Sequence, residues 1–402
     1  MLSPAEALAA IHAALRPFAS AHVPLEQAVG RVLRQAVHAE RDQPPFDRVT
    51  MDGIAIAWDT FASGTRRFPV QGRLHAGEPP QALADPAHCI EVMTGAVLPE
   101  RADCVVPVEH VTLGEGVAEI AAGYVAERRQ HVHPRGSDHP AGTELLAPGA
   151  VIRPVDVAVI ASAGLTEVEV AQSPAVRVVS TGSELVPAGR PVAPHQVRSS
   201  NGPAIVAMLR EQGFSDCAHE QLADEPDLLA GRFERLLDEA AVLILSGGVS
   251  MGKADFVPEV LASLGVERVF HKIRQRPGKP MWFGTGPRGQ AVFALPGNPV
   301  SALVCCRHYV LPALFAASGR PPAPREHAVL TEDVTFAPDL TAFLPVRLAT
   351  DDGGVIRAQP VPTNTSGDFA ALRGTDGYVE LAREQSQFPQ GTAVPLYRWS
   401  SP

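Results

Sequence analysis

Cysteine is scarce in this chain of 402 residues: Cys89, Cys104, Cys217, Cys305 and Cys306 are five, an odd number, and none forms a CxxC pair. A disulfide framework is not expected, and a reducing compartment, the cytoplasm, is. Positive charge is also in short supply. With 34 Lys and Arg against 44 Asp and Glu, the net charge of −10 argues against general nucleic-acid binding. The first residues carry no basic segment running into an apolar one, so no leader is expected there. No apolar run is read as long enough to span a membrane. Two catalytic signatures are missing too. No nucleophile elbow and no Walker loop ending in Gly-Lys-Ser/Thr is found, so covalent catalysis is not indicated. Gly284-Thr285-Gly286-Pro287-Arg288-Gly289 has the letters GxGxxG but runs into an apolar strand instead of opening a helix, and is expected to be a strand-to-strand loop. The 38 prolines are spread over loops, and no internal repeat is found.

What is present is a long globular chain, 45% hydrophobic and 19% charged. Its length predicts about two to four domains. Ser3 and Glu6 have capping-box spacing before a helix reaching about Leu15. A second short helix is expected from Leu25 to Val37. From Met51 to about Gly142, short β-like runs (53–58, 89–94, 103–108, 117–120) are separated by Pro, Gly and Asp, the pattern of a small inserted β domain. Thr143 to Val170 resumes the first pattern, with a helix within 151–163. Residues 171–318 alternate strand and helix, predicting a three-layer α/β domain with a mostly parallel sheet. Beyond Arg320, short alternating strands (328–336, 344–348, 377–381, 392–397) predict a C-terminal β-barrel-like domain. The expected domains are 1–42 with 143–170, 43–142, 171–318 and 319–402.

The most informative feature lies in the central region. Apolar runs at 175–179, 241–245 and 291–295 lead into Ser180-Thr181-Gly182-Ser183-Glu184, Ser246-Gly247-Gly248-Val249-Ser250 and Pro296-Gly297-Asn298-Pro299. Each reads as strand, tight turn, helix. In open α/β sheets ligands bind beyond the carboxyl ends of the strands, so three such turns outline one pocket. Glycine lets backbone N–H groups approach an anion, and a phosphorylated or oxyanion ligand is expected. Lys272, Arg274, Arg276 and Lys279, with Pro277-Gly278 between them, either line that pocket or form a solvated edge.

Carboxylates are wrong partners for phosphate unless a cation intervenes, so Glu184 and Asp255 point either to Mg2+ or a ribose contact, or to helix capping. Asn298 is either a ligand contact or a turn former, and Asp52 and Asp138 sit in turns that favour aspartate anyway. His131, His133 and His139 raise a metal question that no nearby cysteine completes.

These motifs together resemble the molybdopterin molybdenumtransferases, or molybdenum insertases, a family that includes the gephyrin E domain. The resemblance covers nearly the whole chain. It rests on Pro44-Pro45-Phe46-Asp47 with Met51-Asp52-Gly53, Met93-Thr94-Gly95-Ala96 with Pro99, and Arg135-Gly136 with Asp138. In the central region it rests on the three glycine turns with Glu184-Leu185, Met251-Gly252 and Asp255, Val300-Ser301-Ala302, and Pro277-Gly278-Lys279-Pro280. It implies four domains, an elongated homodimer, and Mg2+-dependent conversion of adenylylated molybdopterin plus molybdate into molybdenum cofactor and AMP. Carried over by motif, the functional acids are Asp52, Asp138, Glu184, Asp224 and Asp255, with Glu184 and Asp255 as metal ligands, and the basic residues are Lys272, Arg276 and Lys279.

Further substrate-binding positions implied by the resemblance are Thr94, Thr181, Gly182, Ser246, Gly247, Gly248, Ser250 and Pro296 to Pro299 by way of Gly297 and Asn298. Molybdate would meet Lys279, Pro280 and Ser301, with Ser366 and Arg347 from the C-terminal domain. In that family the cleft lies between the central and C-terminal domains of one subunit and the inserted domain of the other. Implied partners are a molybdopterin adenylyltransferase and apo-molybdoenzymes, with no nucleic acid and no membrane. The chain departs from the family pattern at Ser183, where an acid is common, at Arg276, where lysine is usual, and at His131-Val132-His133-Pro134, often arginine-rich. An adenylyltransferase resembles the central domain alone, and the flanking β regions argue against it; a scaffold without catalysis is the rival from another class.

Overall fold

The computed structural model describes residues 1–248, 256–363 and 365–400. Ser250 and Asp255, expected at the site, lie outside the described residues. The chain divides into two compact units, one of Met1–Arg34, Pro148–Arg153 and Glu167–Pro402, the other of Gln35–Ala147 and Pro154–Thr166.

The larger unit begins with the helix Pro4–Ala14. Its capping box is formed as the spacing predicts: the Glu6 N–H donates to Ser3 Oγ at 3.3 Å and the Ser3 N–H to Glu6 Oε2 at 2.7 Å. The second helix expected there does not form. Leu25–Gln27 makes one 3-10 turn, after which Val32 and Leu33 bridge to Val151 and Val170. Gly30 interrupts the helical run at φ +82°, and the β-branched Val32 has a strand partner to join.

A sheet of six strands forms the centre of this unit, in the order Cys217–Leu222, Val176–Thr181, Val242–Ser246, Ala291–Leu295, Trp282–Thr285, Glu267–His271. The first four run parallel, Trp282–Thr285 runs against them, and Glu267–His271, antiparallel to that strand, runs in their direction again. Period-two alternation splits the parallel strands between two cores. Val176, Val178, Val242, Ile244, Phe293 and Leu295 face the layer of Pro4–Ala14, Asn201–Glu211 and the long helix from Pro299. Val179, Leu243, Leu245, Val292 and Ala294 face Pro226–Glu239 and Val257–Ser263. With both faces covered, the strands read as continuous apolar runs, which is why the sequence revealed this three-layer domain. The GxGxxG segment is indeed the link between the strands Trp282–Thr285 and Ala291–Leu295.

The long helix corrects one expectation. Pro299–Ala317 is, by length and composition, apolar enough to cross a membrane, but 78% of its apolar window is buried inside the protein. It is the core helix of this unit. Its Val300 and Val304 pack on Phe343 and Tyr378 of the C-terminal region. There, Thr341–Thr350, Ile356–Pro360, Glu326–Leu330, Ala393–Arg398 and Gly377–Leu381 pair in succession, and the first and last also pair, closing a five-stranded barrel. Closure leaves these strands no open edge.

The smaller unit holds a mixed sheet ordered Cys104–Pro107, Gly53–Ile56, Cys89–Val92, Arg67–Leu74, Val117–Ile120, Val111–Gly114. Arg67–Leu74 is absent from the sequence reading. Its charged Arg67 and Arg73, with Pro69 and Gly72, break the apolar alternation, and its register shifts between Val70 and Gly72.

Candidate active site

The three glycine turns of the central sheet stand side by side. Ser180 is level with Ser246, and Ser246 with Leu295, so Thr181, Gly247 and Pro296 each open a turn at the same carboxyl edge. Gly247, at φ +106°, is required by its neighbour: a Cβ there would lie 2.4 Å from the Thr181 carbonyl oxygen. The turns also touch, since a Cβ on Gly297 would be 3.6 Å from Gly247 Cα. The Pro296-Gly297-Asn298 turn opens directly into a helix, at Pro299. After Gly182 the chain first makes a small parallel pair, Leu185–Val186 with Val197–Arg198, and reaches its helix at Asn201.

Two expected backbone donors are already engaged. The Gly182 N–H donates to Leu222 O at 3.3 Å and the Gly247 N–H to Leu295 O at 3.2 Å. The edge offers side chains in their place. Thr181, 4% exposed, has its Oγ1 buried without a partner among the described residues, 3.0 Å from where Cβ atoms on Gly247 and Gly248 would sit. Asn201, which the sequence reading missed, is 8% exposed and donates through Nδ2 to Ser246 Oγ at 2.9 Å and Gly297 O at 2.7 Å. Because a carbonyl oxygen can only accept, the amide's orientation is fixed, and its Oδ1 is left buried without a partner among the described residues. Asn201 ties the second turn to the third. The signal in the sequence was Ser199-Ser200-Asn201-Gly202-Pro203, a polar cluster opening a helix.

Below this edge, Ser180 Oγ lies 3.0 Å from His219 Nε2, and burial holds the His219 pKa below its ordinary value. Asp224 follows the end of the Cys217–Leu222 strand, at the same carboxyl edge. Glu184 is exposed, with Oε2 folded to 2.8 Å from where a Cβ on Gly182 would be. Asn298 does not cap its helix; its Nδ2 donates to Ser366 Oγ at 2.7 Å, and Val300 N–H donates to Ser366 O at 3.1 Å. Ser366 of the C-terminal region is thereby brought to the third turn, and Ser301, 3% exposed, lies just inside the helix.

The basic run forms a loop. Lys272 N–H donates to Met281 O and Ile273 N–H to Lys279 O, both at 2.9 Å, so the backbone turns back on itself over Gln275 to Gly278. Arg276 and Lys279 are exposed and Lys272 half-buried, and none has an ion-pair partner among the described residues. Gln275 and Arg276 run parallel to Thr341 and Ala342, the start of the barrel strand that carries exposed Arg347.

Within the smaller unit, Asp52 Oδ1 accepts from both the N–H and the hydroxyl of Thr94 at 2.7 Å, and these bonds hold its carboxyl below the usual range. Asp52, Glu91, Met93, Val108, Val111 and Leu113 line a cavity of about 160 Å3. Asp138 Oδ1 lies 3.0 Å from His133 Nε2, whose Nδ1 is 3.0 Å from Arg48 Nη2. His133 is thus engaged on both ring nitrogens. His131 contacts Gln130, and among the described residues no group of three or more His, Cys, Asp and Glu is gathered to hold a metal.

Comparison with known proteins accounts for the whole chain. Residues 2–164 match the family model described as MoeA N-terminal region (domain I and II), 177–316 the probable molybdopterin binding domain, and 327–399 the MoeA C-terminal region (domain IV). A molybdopterin molybdenumtransferase of Synechocystis sp. is 40% identical over 400 residues, 99% of this chain and 100% of the relative. Molybdopterin molybdenumtransferase 2 of Mycobacterium tuberculosis is 32% identical over 93% of this chain and 94% of its own. The crystal structure of a molybdopterin biosynthesis protein from Pyrococcus horikoshii superposes with a TM-score of 0.86 at 30% identity, covering 100% of both chains. With sequence, fold and coverage in agreement over its full length, the chain belongs to the molybdopterin molybdenumtransferase family.

Proposed function

We propose that this chain inserts molybdate into adenylylated molybdopterin, with release of AMP and formation of molybdenum cofactor. The supporting observation is the carboxyl edge of the central sheet, where the Thr181 hydroxyl and the Asn201 carboxamide oxygen are buried without partners among the described residues, beside touching glycine turns. A lone oxyanion would take the hydroxyl and the nearby cations but leave Asn201 Oδ1 unmatched. A ligand carrying phosphates together with ring N–H donors, as a pterin does, matches both.

In this assignment Thr181, Gly182, Ser246, Gly247, Gly248, Pro296, Gly297, Asn298 and Pro299 line the pterin and its phosphates, and Ser250 continues the second turn. Lys279, Pro280, Ser301, Ser366 and Arg347 receive molybdate, while Lys272 and Arg276 offset negative charge on the transferring group. Mg2+ commonly takes one or two carboxylates and completes its shell with water and phosphate oxygens. The exposed carboxylate of Glu184 at the first turn fits that mode, with Asp255 as the second expected ligand and Asp224 nearby on the same edge. When bound, the ion would supply positive charge across the phosphate oxygens. Asp52, Thr94 and Asp138 we assign to the site of the second copy in a homodimer, working in the cytoplasm between an adenylyltransferase and the apo-molybdoenzymes.

The test is AMP release from adenylylated molybdopterin, with and without molybdate and Mg2+. Molybdate-dependent release is expected; consumption of ATP on free molybdopterin, with the adenylylated pterin left intact, would instead indicate an adenylyltransferase. Mixed Asp52→Ala and Lys279→Ala proteins should recover activity through hybrid dimers, and none should return if the site is not shared.

A further inference from the structure

The basic loop bearing Arg276 and Lys279 is held from beneath by a buried polar contact set that neither the motifs nor the resemblance assigned. Gln275 is 0% exposed. Its Nε2 donates to Pro277 O at 3.0 Å and lies 3.6 Å from Cys305 Sγ, and its Oε1 accepts from the hydroxyl of fully buried Tyr309. Cys305 Sγ in turn lies 3.8 Å from Gly278 O. The fit is close, since a Cβ on Gly278 would sit 2.5 Å from Cys305 Sγ and 2.6 Å from Gln275 Nε2. Two successive loop carbonyls, Pro277 and Gly278, are thereby fastened to one amide and one thiol.

Cys305, and Tyr309 which backs the amide, stand on the helix that builds the third glycine turn. Ser301 and Cys305 are spaced four apart on the α-helical stretch Pro299–Cys305, and Tyr309 follows on the π-helical turn Cys306–Val310. The stem that holds the loop therefore continues directly to Ser301 and the Gly297 turn. A leucine or methionine at position 275 would fill the same space without burying an amide, so filling space does not explain the glutamine. The amide's distinctive contribution is to fix the loop carbonyls relative to the helix.

We infer that Gln275, backed by Tyr309 and Cys305, is a positioning residue that sets the distance between the cations of the 272–279 loop and the Ser301 end of the oxyanion pocket. The inference rests on the function proposed above. It makes anion affinity depend on a side chain that touches no ligand.

The experiment measures molybdate binding by calorimetry and melting temperature for the full chain and for Gln275→Leu, Tyr309→Phe, Lys279→Ala and the Gln275→Leu/Lys279→Ala double variant. Gln275→Leu is expected to weaken molybdate binding about fivefold or more, and Tyr309→Phe, which removes only the hydroxyl, about twofold. In the Lys279→Ala background, Gln275→Leu should cause a smaller further loss, because part of its effect acts through the Lys279 ammonium group. Wild-type affinity in Gln275→Leu, whatever its melting temperature, overturns the inference, as do additive losses in the double variant. If Gln275→Leu does not fold, Tyr309→Phe with unchanged molybdate affinity overturns it alone. A Lys279→Ala protein that binds molybdate normally defeats the loop's role as an oxyanion site, and the positioning role with it.

Discussion

The carboxyl edge of the central sheet and the aspartate-bearing loops of the smaller unit treat their functional groups differently. In the smaller unit charges are matched: Asp47 accepts from Arg129 and from the Arg135 N–H, Asp42 from Arg135 and the Ala141 N–H, Asp103 from Arg128, and Asp138 faces His133. At the central edge Thr181 Oγ1 and Asn201 Oδ1 have no partner, and Lys272, Arg276 and Lys279 have no counter-ion among the described residues. Internal pairing holds the loops of a small β unit in place; the unpaired groups at the sheet edge are those the proposed ligand would engage. Asp52 is the intermediate case, engaged by Thr94 yet lining a cavity.

The most severe way to break the comparison is steric. Gly247→Ala places a methyl group 2.4 Å from a backbone oxygen at φ +106°, whereas Gly64→Ala in the smaller unit has nearly the same φ, +107°, and nothing within 4 Å. Gly64→Ala should therefore cost only the backbone strain, about 1 to 2 kcal/mol. Gly247→Ala adds a clash that cannot be relieved without moving Thr181, for about 2 to 5 kcal/mol in all. Urea unfolding of the two variants measures the difference; equal losses would mean that the turns at the central edge are free to spread.

A smaller effect tests the matched charges. Hydrogen bonding from the Arg129 side chain holds the Asp47 carboxyl below its ordinary value. A depressed carboxylate pKa adds stability that is complete above the unfolded value, about 3.9, and is lost as pH falls through the folded value. Asp47→Asn, at a solvent-screened pair, should therefore lower stability near neutral pH by about 0.5 to 1.5 kcal/mol and flatten the decline of melting temperature below about pH 4. Molybdate affinity should not change. A variant with the wild-type acid profile would show that Asp47 contributes no linkage.

How much of this could be read in advance follows the same division. The parallel strands are buried on both faces, so Val176–Thr181, Val242–Ser246 and Ala291–Leu295 stood out as apolar runs ending in glycine turns. The barrel strand Ile356–Pro360, with arginine and glutamine in it, and Arg67–Leu74, with two arginines and a proline, carry no such pattern. Their place comes from closure and from neighbours far away in sequence. The site divides similarly. The glycine turns and the charged loop announce themselves, whereas Asn201, Gln275 and Tyr309 matter through contacts 30 to 96 residues apart in sequence, from Gln275 Nε2 to Cys305 Sγ at 30 to Asn201 Nδ2 to Gly297 O at 96, which no local pattern encodes.

The finest distinction concerns Arg276, which stands where the family pattern usually has lysine. Arginine's planar fork outperforms lysine where both of its edges are used against a fixed partner, and such a pair loses its geometry when replaced by an ammonium. Arg276 is exposed and has no hydrogen-bond partner locking its plane among the described residues. The backbone beneath it is fixed, by pairing with Ala342 and through Gln275, but the guanidinium is not. Its contribution to an oxyanion site is then mainly its charge, and a lysine supplies the same charge on a stem of similar length. Arg276→Lys should alter molybdate affinity by less than about threefold, whereas Arg276→Ala should weaken it more, with a shallower dependence on ionic strength. A tenfold loss in Arg276→Lys would instead mean that the fork is used bidentately. The loop would then have to set the guanidinium plane as well as the backbone, and the contrast between a locked unit and an open sheet edge would no longer hold at this residue.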